Sequence, residues 1–257
     1  ARLYSEQTTQ YVKTQYRASE KQSGKSWAEQ NRISTDSQVR RLERSRLERP
    51  RSLRSFVLNH CDFKEGEPLK VLDLGGGDGT LTRDAFEGGQ IHVLDTYAKQ
   101  SRSDVMYLSS FQHASRQAPY NLVASLHTME HIPDPLKTMR EMGSLIGPRG
   151  FLFIEVPLEY MGPLIKRRAI PLGGHVNYFR RSSLKYLADR CNLEAVTMQT
   201  CINWYGELRL PVIRSIFRKS TKPVRVPDVP SRHRLFKDLA GDATLRLQNR
   251  IFDRFYE

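Results

Sequence analysis

The chain has 257 residues with a net charge of +13, 39% hydrophobic and 27% charged residues. That is enough apolar material for one large domain with additions. No run of about 18 or more uncharged apolar residues occurs, which excludes a sequence-evident transmembrane helix; the most apolar stretch, GFLFIEVPLEYMGPLI, is interrupted by Glu155, Pro157 and Glu159. The three cysteines, Cys61, Cys191 and Cys201, show no metal-type spacing and read as thiols in a reducing cytoplasm.

The charge is unevenly divided. Residues 1–60 carry 13 Lys+Arg against 6 Asp+Glu, residues 61–200 carry 16 against 16, and residues 201–257 carry 12 against 6. A neutral middle lies between two basic flanks, which suit an anionic partner: a phosphate or carboxylate on a small molecule, nucleic acid, or an acidic membrane surface.

Residues 1–66 read as a basic helical extension or lid. In DSQVRRLERSRLERPRSLRSFVLNH the apolar residues Val39, Leu42, Leu47, Leu53, Phe56 and Val57 recur at near-helical spacing. Asp36 or Ser37 suits an N-cap. Pro50 divides or kinks the helix.

The texture changes at Leu69. Strand-like runs cover 69–75, 90–95, 104–109, 121–126, 150–157 and 193–201, alternating with helix-like GTLTRDAFEG, TYAKQSRS, PDPLKTMREMGSLIG and RRSSLKYLADRCN. This alternation predicts a parallel, doubly wound α/β sheet over residues 67–215. ELRLPVIRSIF fits a last strand or a helix, and residues 216–257 read as a second basic helical extension.

In such sheets ligands bind beyond the carboxyl ends of the strands. There the sequence reads VLDLGGGDGT, with Gly75, Gly76, Gly77 and Gly79 following a strand. The dinucleotide pattern G-x-G-x-x-G fails, because its third position falls on Thr80. The pattern is instead D-x-G-x-G-x-G from Asp73. A carboxylate so placed repels a pyrophosphate and suits a ligand bearing an ammonium group. The next strand ends in Asp95, 22 residues after Asp73, where a carboxylate can accept bonds from two ribose hydroxyls.

With VLDLGGGDGT, HVLD, NLVASLHTMEHIPDP and GFLFIEVP in order, the chain from Leu69 to Cys201 resembles the class I S-adenosylmethionine-dependent methyltransferases, in their small-molecule and glycan branch. The resemblance implies a Rossmann-like, seven-stranded, mostly parallel sheet with a reversed last strand. It implies a cofactor site at Asp73, Gly75, Gly76, Gly77, Gly79, Asp95 and Thr96. Ser110 and Phe111 would line the adenine, and Ser125 and His127 would lie near the methionine moiety.

The implied reaction is methyl transfer to a small-molecule or glycan acceptor, with a hydroxyl as the expected site. A hydroxyl needs a base, and His is the usual one near neutral pH. GGHVNYFRRSSL resembles a segment found in small-molecule and sugar methyltransferases, which makes His175 the candidate base, with Tyr178 beside it and His131 as a further candidate. No metal site is expected. Lys166, Arg167 and Arg168 could hold an anionic group on the acceptor. The competing readings are an RNA methyltransferase whose basic flanks track phosphates, and a non-catalytic protein of the same fold acting as a scaffold. SLHTMEHIP stands where an amino-methyltransferase would carry an N/D/S-P-P-Y/F-like motif, which disfavours that chemistry. A cytoplasmic location is expected, with peripheral membrane contact through the basic ends as a variant of it.

Overall fold

The computed structural model describes residues 36–64, 66–96, 98, 102–158, 175–205 and 208–221. Helix α1 (Asp36–His60) leads into strand β1 (Lys70–Leu74). Then follow α2 (Thr80–Ala85), β2 (Gln90–Leu94), β3 (Val105–Leu108), α3 (Phe111–Gln117) and β4 (Tyr120–Leu126). A 3-10 turn (Met129–His131), α4 (Pro135–Leu145), β5 (Ile146–Pro157), α5 (Arg181–Arg190), β6 (Leu193–Tyr205) and β7 (Leu208–Lys219) complete it.

The seven strands form one sheet in the order β3-β2-β1-β4-β5-β7-β6. Strands β1 to β5 pair in parallel, whereas β7 runs antiparallel to both β5 and β6. This is the expected α/β architecture, and the ambiguous ELRLPVIRSIF segment belongs to β7. That strand runs to Lys219, past residue 215. No helix among the described residues is long and apolar enough to cross a membrane.

Side chains alternate across the sheet, as a strand's period of two requires. On β5, Phe151 and Phe153 face one side with α1 and α2, while Leu152, Ile154 and Val156 face the other with α4 and α5. Helix α1 is docked by Leu53 and Val57, both fully buried. Ser45, Arg49, Leu53 and Val57 recur at i, i+4, and the first, third and fourth of these are buried, so the inner stripe of α1 is partly polar. Pro50 lies inside the helix without ending it. Helix α3 was not among the expected elements; the Ser110 hydroxyl caps it by accepting from the His113 N–H at 3.1 Å. The TYAKQSRS segment falls partly outside the described residues, as do the expected features at 1–35, 159–174 and 222–257.

Leu53 joins α1 to the sheet, so Leu53→Ala should cost about 2–5 kcal/mol. Urea unfolding followed by circular dichroism measures this, and a cost no larger than that of an exposed position such as Leu47→Ala would contradict the docking.

Candidate active site

All four parallel strand ends that matter lie on one edge of the sheet. There β1 is followed by Gly75, β2 by Asp95 and β4 by His127, with Glu155 near the end of β5. Strand order reverses between β1 and β4, with β2 and β3 on one side and β5, β7 and β6 on the other. That crevice is where open α/β sheets bind ligands.

Gly75, Gly77 and Gly79 all have positive φ, at 75°, 59° and 77°. A Cβ on Gly75 would stand 2.1 Å from the Thr128 hydroxyl, and one on Gly76 would stand 2.4 Å from the Asp73 carboxylate. The loop is thus pressed between the β4 turn and Asp73, while a Cβ on Gly77 would meet nothing within 4 Å. Backbone without side chains is exposed on that open side.

Asp73 is 2% exposed and lies beneath the loop. One oxygen accepts from the Thr82 hydroxyl at 3.0 Å; the other, Oδ1, has no hydrogen-bond partner among the described residues. Burial pushes this carboxyl up to about 7, against the pull of Thr82 and of nearby Arg49, and Asp95 adds to the rise. Asp95, half-buried at the end of β2, accepts from the Gly77 N–H at 2.9 Å. The strand ends of β1 and β2 are therefore tied together by the glycine loop.

The other predicted residues are placed as follows. Thr96 is exposed after β2. Ser110 caps α3, and Phe111 begins it and packs against the core. Ser125 is buried on β4 between Leu74 and Ile154. His127 has a left-handed backbone, φ 52°, which is uncommon for a non-glycine residue and turns the chain sharply out of β4. His131 and His175 come together, ring centroids 4.5 Å apart. Tyr178 is 57% exposed. Gly173, Gly174, Lys166, Arg167 and Arg168 lie outside the described residues.

Sequence reading missed the groups around Glu155. This carboxylate is fully buried. Its Oε2 accepts from Arg214 Nε at 2.7 Å and Asn203 Nδ2 at 2.9 Å. Its Oε1 faces His127 Nε2 at 3.2 Å and Arg49 Nη2 at 3.7 Å. Burial alone would raise the Glu155 carboxyl, but His127, Arg214 and Arg49 outweigh it and hold it down at about 2. For His127, burial opposes the charged form, yet Glu130 and Glu155 win and raise its pKa. The Glu130 oxygen stands 3.6 Å from His127 Nδ1. The signal that could have revealed Arg49 is its spacing, four residues before Leu53 on the buried stripe of α1.

One grouping bears on the expectation of no metal site. Glu130, His131 and His175 bring three ligand atoms within 4.8 Å of one another. His131 and His175 were each singled out in the sequence, but their meeting with Glu130 was not legible there, because 44 residues separate His131 from His175. A cavity of about 440 Å³ also exists at the opposite edge of the sheet, against Phe63, Leu69, Pro119 and Arg149. None of the candidate site residues lines it.

A family model described as a methyltransferase domain matches residues 42–198. Among curated proteins, the chain is 32% identical over 113 residues to a ubiquinone biosynthesis O-methyltransferase of Vibrio campbellii, covering 38% of this chain and 47% of that one. It is 31% identical over 164 residues to the Vibrio cholerae protein of the same name, covering 54% and 66%. The chain thus spans about half to two thirds of the length of these relatives. Among solved structures, the 1,6-didemethyltoxoflavin-N1-methyltransferase of Burkholderia thailandensis, bound to 1,6-didemethyltoxoflavin and S-adenosylhomocysteine, superposes with a TM-score of 0.50 at 17% identity, covering 66% of this chain and 78% of that one. That likeness shows the fold.

Two outcomes test the site's electrostatics. Glu155 has a folded pKa below its ordinary 4.5, so its contribution to stability is present above 4.5 and is lost as pH falls toward about 2. Glu155→Gln should flatten that part of the stability–pH curve and cost about 3–5 kcal/mol at neutral pH, by leaving Arg214 buried without its anion. An unchanged acid limb in urea unfolding would count against the network.

Proposed function

The chain belongs to the methyltransferase-domain family, and on that premise we propose that it transfers a methyl group from S-adenosylmethionine to a small-molecule acceptor. One observation carries the reading: a glycine loop of positive φ, bare on one side, crosses a buried carboxylate and meets a second carboxylate on the neighbouring strand end. When bound, the cofactor supplies an electrophilic methyl group on a cationic sulfonium.

The residues fit that molecule. Asp73 Oδ1, buried and without a partner among the described residues, can accept from an ammonium. The open face at Gly77 lets a ligand approach the backbone closely. Asp95 has the position and the lone pairs for ribose hydroxyls, while its bond to Gly77 N–H keeps it oriented. Ser110 and Phe111 stand after β3, where the adenine would lie, and Ser125 and His127 at the end of β4, near the methionine moiety. Arg49 reaches toward both Asp73 and Glu155 and is suited to the cofactor carboxylate.

The acceptor is read as a hydroxyl of a small molecule or glycan. Methyl transfer is an in-line displacement, so the site contributes chiefly by holding the two reactants in line. A hydroxyl must also lose its proton, and His175, with His131 against it, is the candidate group to take it. The names of the curated relatives, O-methyltransferases of ubiquinone biosynthesis, support an oxygen acceptor.

Calorimetry with S-adenosylmethionine and S-adenosylhomocysteine tests the cofactor. Binding of both is expected, weakened at least about tenfold, or 1.4 kcal/mol, by Asp95→Ala. Wild-type protein that binds neither would overturn the proposal. Because the Asp73 carboxyl sits near 7 before binding, affinity for the ammonium-bearing cofactor should strengthen as pH rises through 7, with proton release below it. Titrations in buffers of different ionisation enthalpy read that release. A panel of phenols, catechols and sugars, scored by S-adenosylhomocysteine formed, then identifies the acceptor class.

A further inference from the structure

We propose that Glu130, His131 and His175 form a binding site for a divalent transition-metal ion, zinc-like in its ligand preference, that activates the acceptor oxygen. The inference rests on the methyltransferase reading for its role, but the site itself is argued from its residues.

Three donor atoms, one carboxylate oxygen and two imidazole nitrogens, lie within 4.8 Å of one another. Zinc–ligand bonds of about 2.0–2.2 Å place tetrahedral donors roughly 3.4 Å apart. Glu130 supplies the independent observation. It is 1% exposed, and neither carboxylate oxygen has a hydrogen-bond partner among the described residues. A buried carboxylate left in that state is costly unless a cation meets it. His127 stands 3.6 Å from Oε1 and offsets part of that cost. A carboxylate has two oxygens, so one can face His127 while the other ligates, in the way a neighbouring group commonly orients a metal ligand.

The backbone holds the ligands together without using their side chains. The Val176 and Asn177 N–H groups donate to the Glu130 carbonyl at 2.9 and 3.0 Å. The Asn177 side-chain amide donates to the Ile132 carbonyl at 2.5 Å and to the Met129 carbonyl at 3.3 Å. These four bonds pin the residue after His175 to the turn that carries Glu130 and His131.

The donor set selects the ion. Two imidazoles and one carboxylate suit zinc and its transition-metal neighbours, whereas magnesium and calcium prefer oxygen alone. Three protein ligands leave a coordination position for a ligand from outside, as in catalytic rather than structural sites. An acceptor hydroxyl there loses its proton to water more readily, because the ion's charge lowers its pKa. The oxygen then attacks the methyl carbon: the O–CH₃ bond forms, the S–CH₃ bond breaks with its electron pair going to sulfur, and a neutral thioether leaves. His131 and His175 serve in this scheme as ligands, and no histidine has to remain a base.

The test uses the full chain, treated with chelator and dialysed. Zn²⁺ and Mg²⁺ are each titrated calorimetrically, and Co²⁺ is added separately to read the visible spectrum of a nitrogen-ligated ion. The proposal expects one equivalent of Zn²⁺, Mg²⁺ weaker by at least about a hundredfold, and a Co²⁺ spectrum that changes when His175 is removed. His175→Ala, at a half-buried position, and Glu130→Gln should each weaken Zn²⁺ at least about tenfold. S-adenosylhomocysteine binding, measured on the same samples, reports separately on the cofactor site and on folding. Wild-type protein that takes up no stoichiometric Zn²⁺, or His175→Ala protein that binds it like wild type, overturns the metal site. Loss of S-adenosylhomocysteine binding by the wild type would instead overturn the methyltransferase reading and leave the metal result standing.

Discussion

A single buried negative charge organises this edge of the molecule. Glu155 is held by Arg214 from β7, Asn203 from β6, His127 from the end of β4 and Arg49 from α1. Strand register makes the meeting possible, because Leu126, Glu155 and Arg214 are lateral neighbours across β4, β5 and β7. Arg214 extends the contact by donating to the Ser52 hydroxyl at 2.9 Å and to its carbonyl at 3.2 Å. Taking a carboxylate and two guanidinium groups out of water is expensive, and replacing such a network by apolar side chains would not be expected to weaken the fold. Its value lies in geometry: it fixes where α1 sits relative to the ends of β4 and β5, and hence the wall of the crevice.

The other half of the crevice rests on backbone. Positive φ at three glycines allows the turn between β1 and α2 to fold over Asp73 and reach Asp95. Asp73 is not displayed on the surface as an isolated charge. It lies under the loop, with Thr82 on one oxygen. The same burial that lifts its pKa makes its ionised form sensitive to a cation arriving above it. The two halves meet at residues 127–128, where Thr128 closes on Gly75 while His127 turns back to Glu155. A change in one half is therefore felt at the other through two adjacent residues.

What could be read from the sequence follows the range of the interactions. The glycine loop, Asp95 and six of the strands were legible, because each is a local pattern: a short apolar or β-branched run for the strands, and glycines or a carboxylate at the ends of the first two. The seventh strand was ambiguous because Arg209, Pro211, Arg214 and Arg218 interrupt its apolar alternation, and the reason for Arg214 is a partner 59 residues away. Helix α3 was missed because Ser110 and Phe111 were considered as ligand-lining positions, whereas Ser110 is occupied as its cap. Arg49 was passed over as one of many arginines on a basic helix. Its place on the Leu53–Val57 stripe distinguishes it from Arg44 or Arg51, but what it meets there is set by the sheet beneath that helix.

The histidines show the same limit most clearly. His127, His131 and His175 are alike in sequence, each following a strand, and composition cannot assign them different tasks. Their surroundings do. His127 lies between two carboxylates, whose combined pull exceeds the cost of burying its charge and favours the imidazolium. An imidazolium is a poor ligand and a poor base, so His127 is best suited to neutralising charge and orienting Glu130. His131 and His175 stack edge to face against one another beside a carboxylate that is buried and underused. Two imidazoles beside that carboxylate bring three donor atoms within 4.8 Å of one another, a grouping that His127 does not share. The division of labour among three identical side chains thus comes from where two carboxylates are placed, one on β5 and one on the turn after β4.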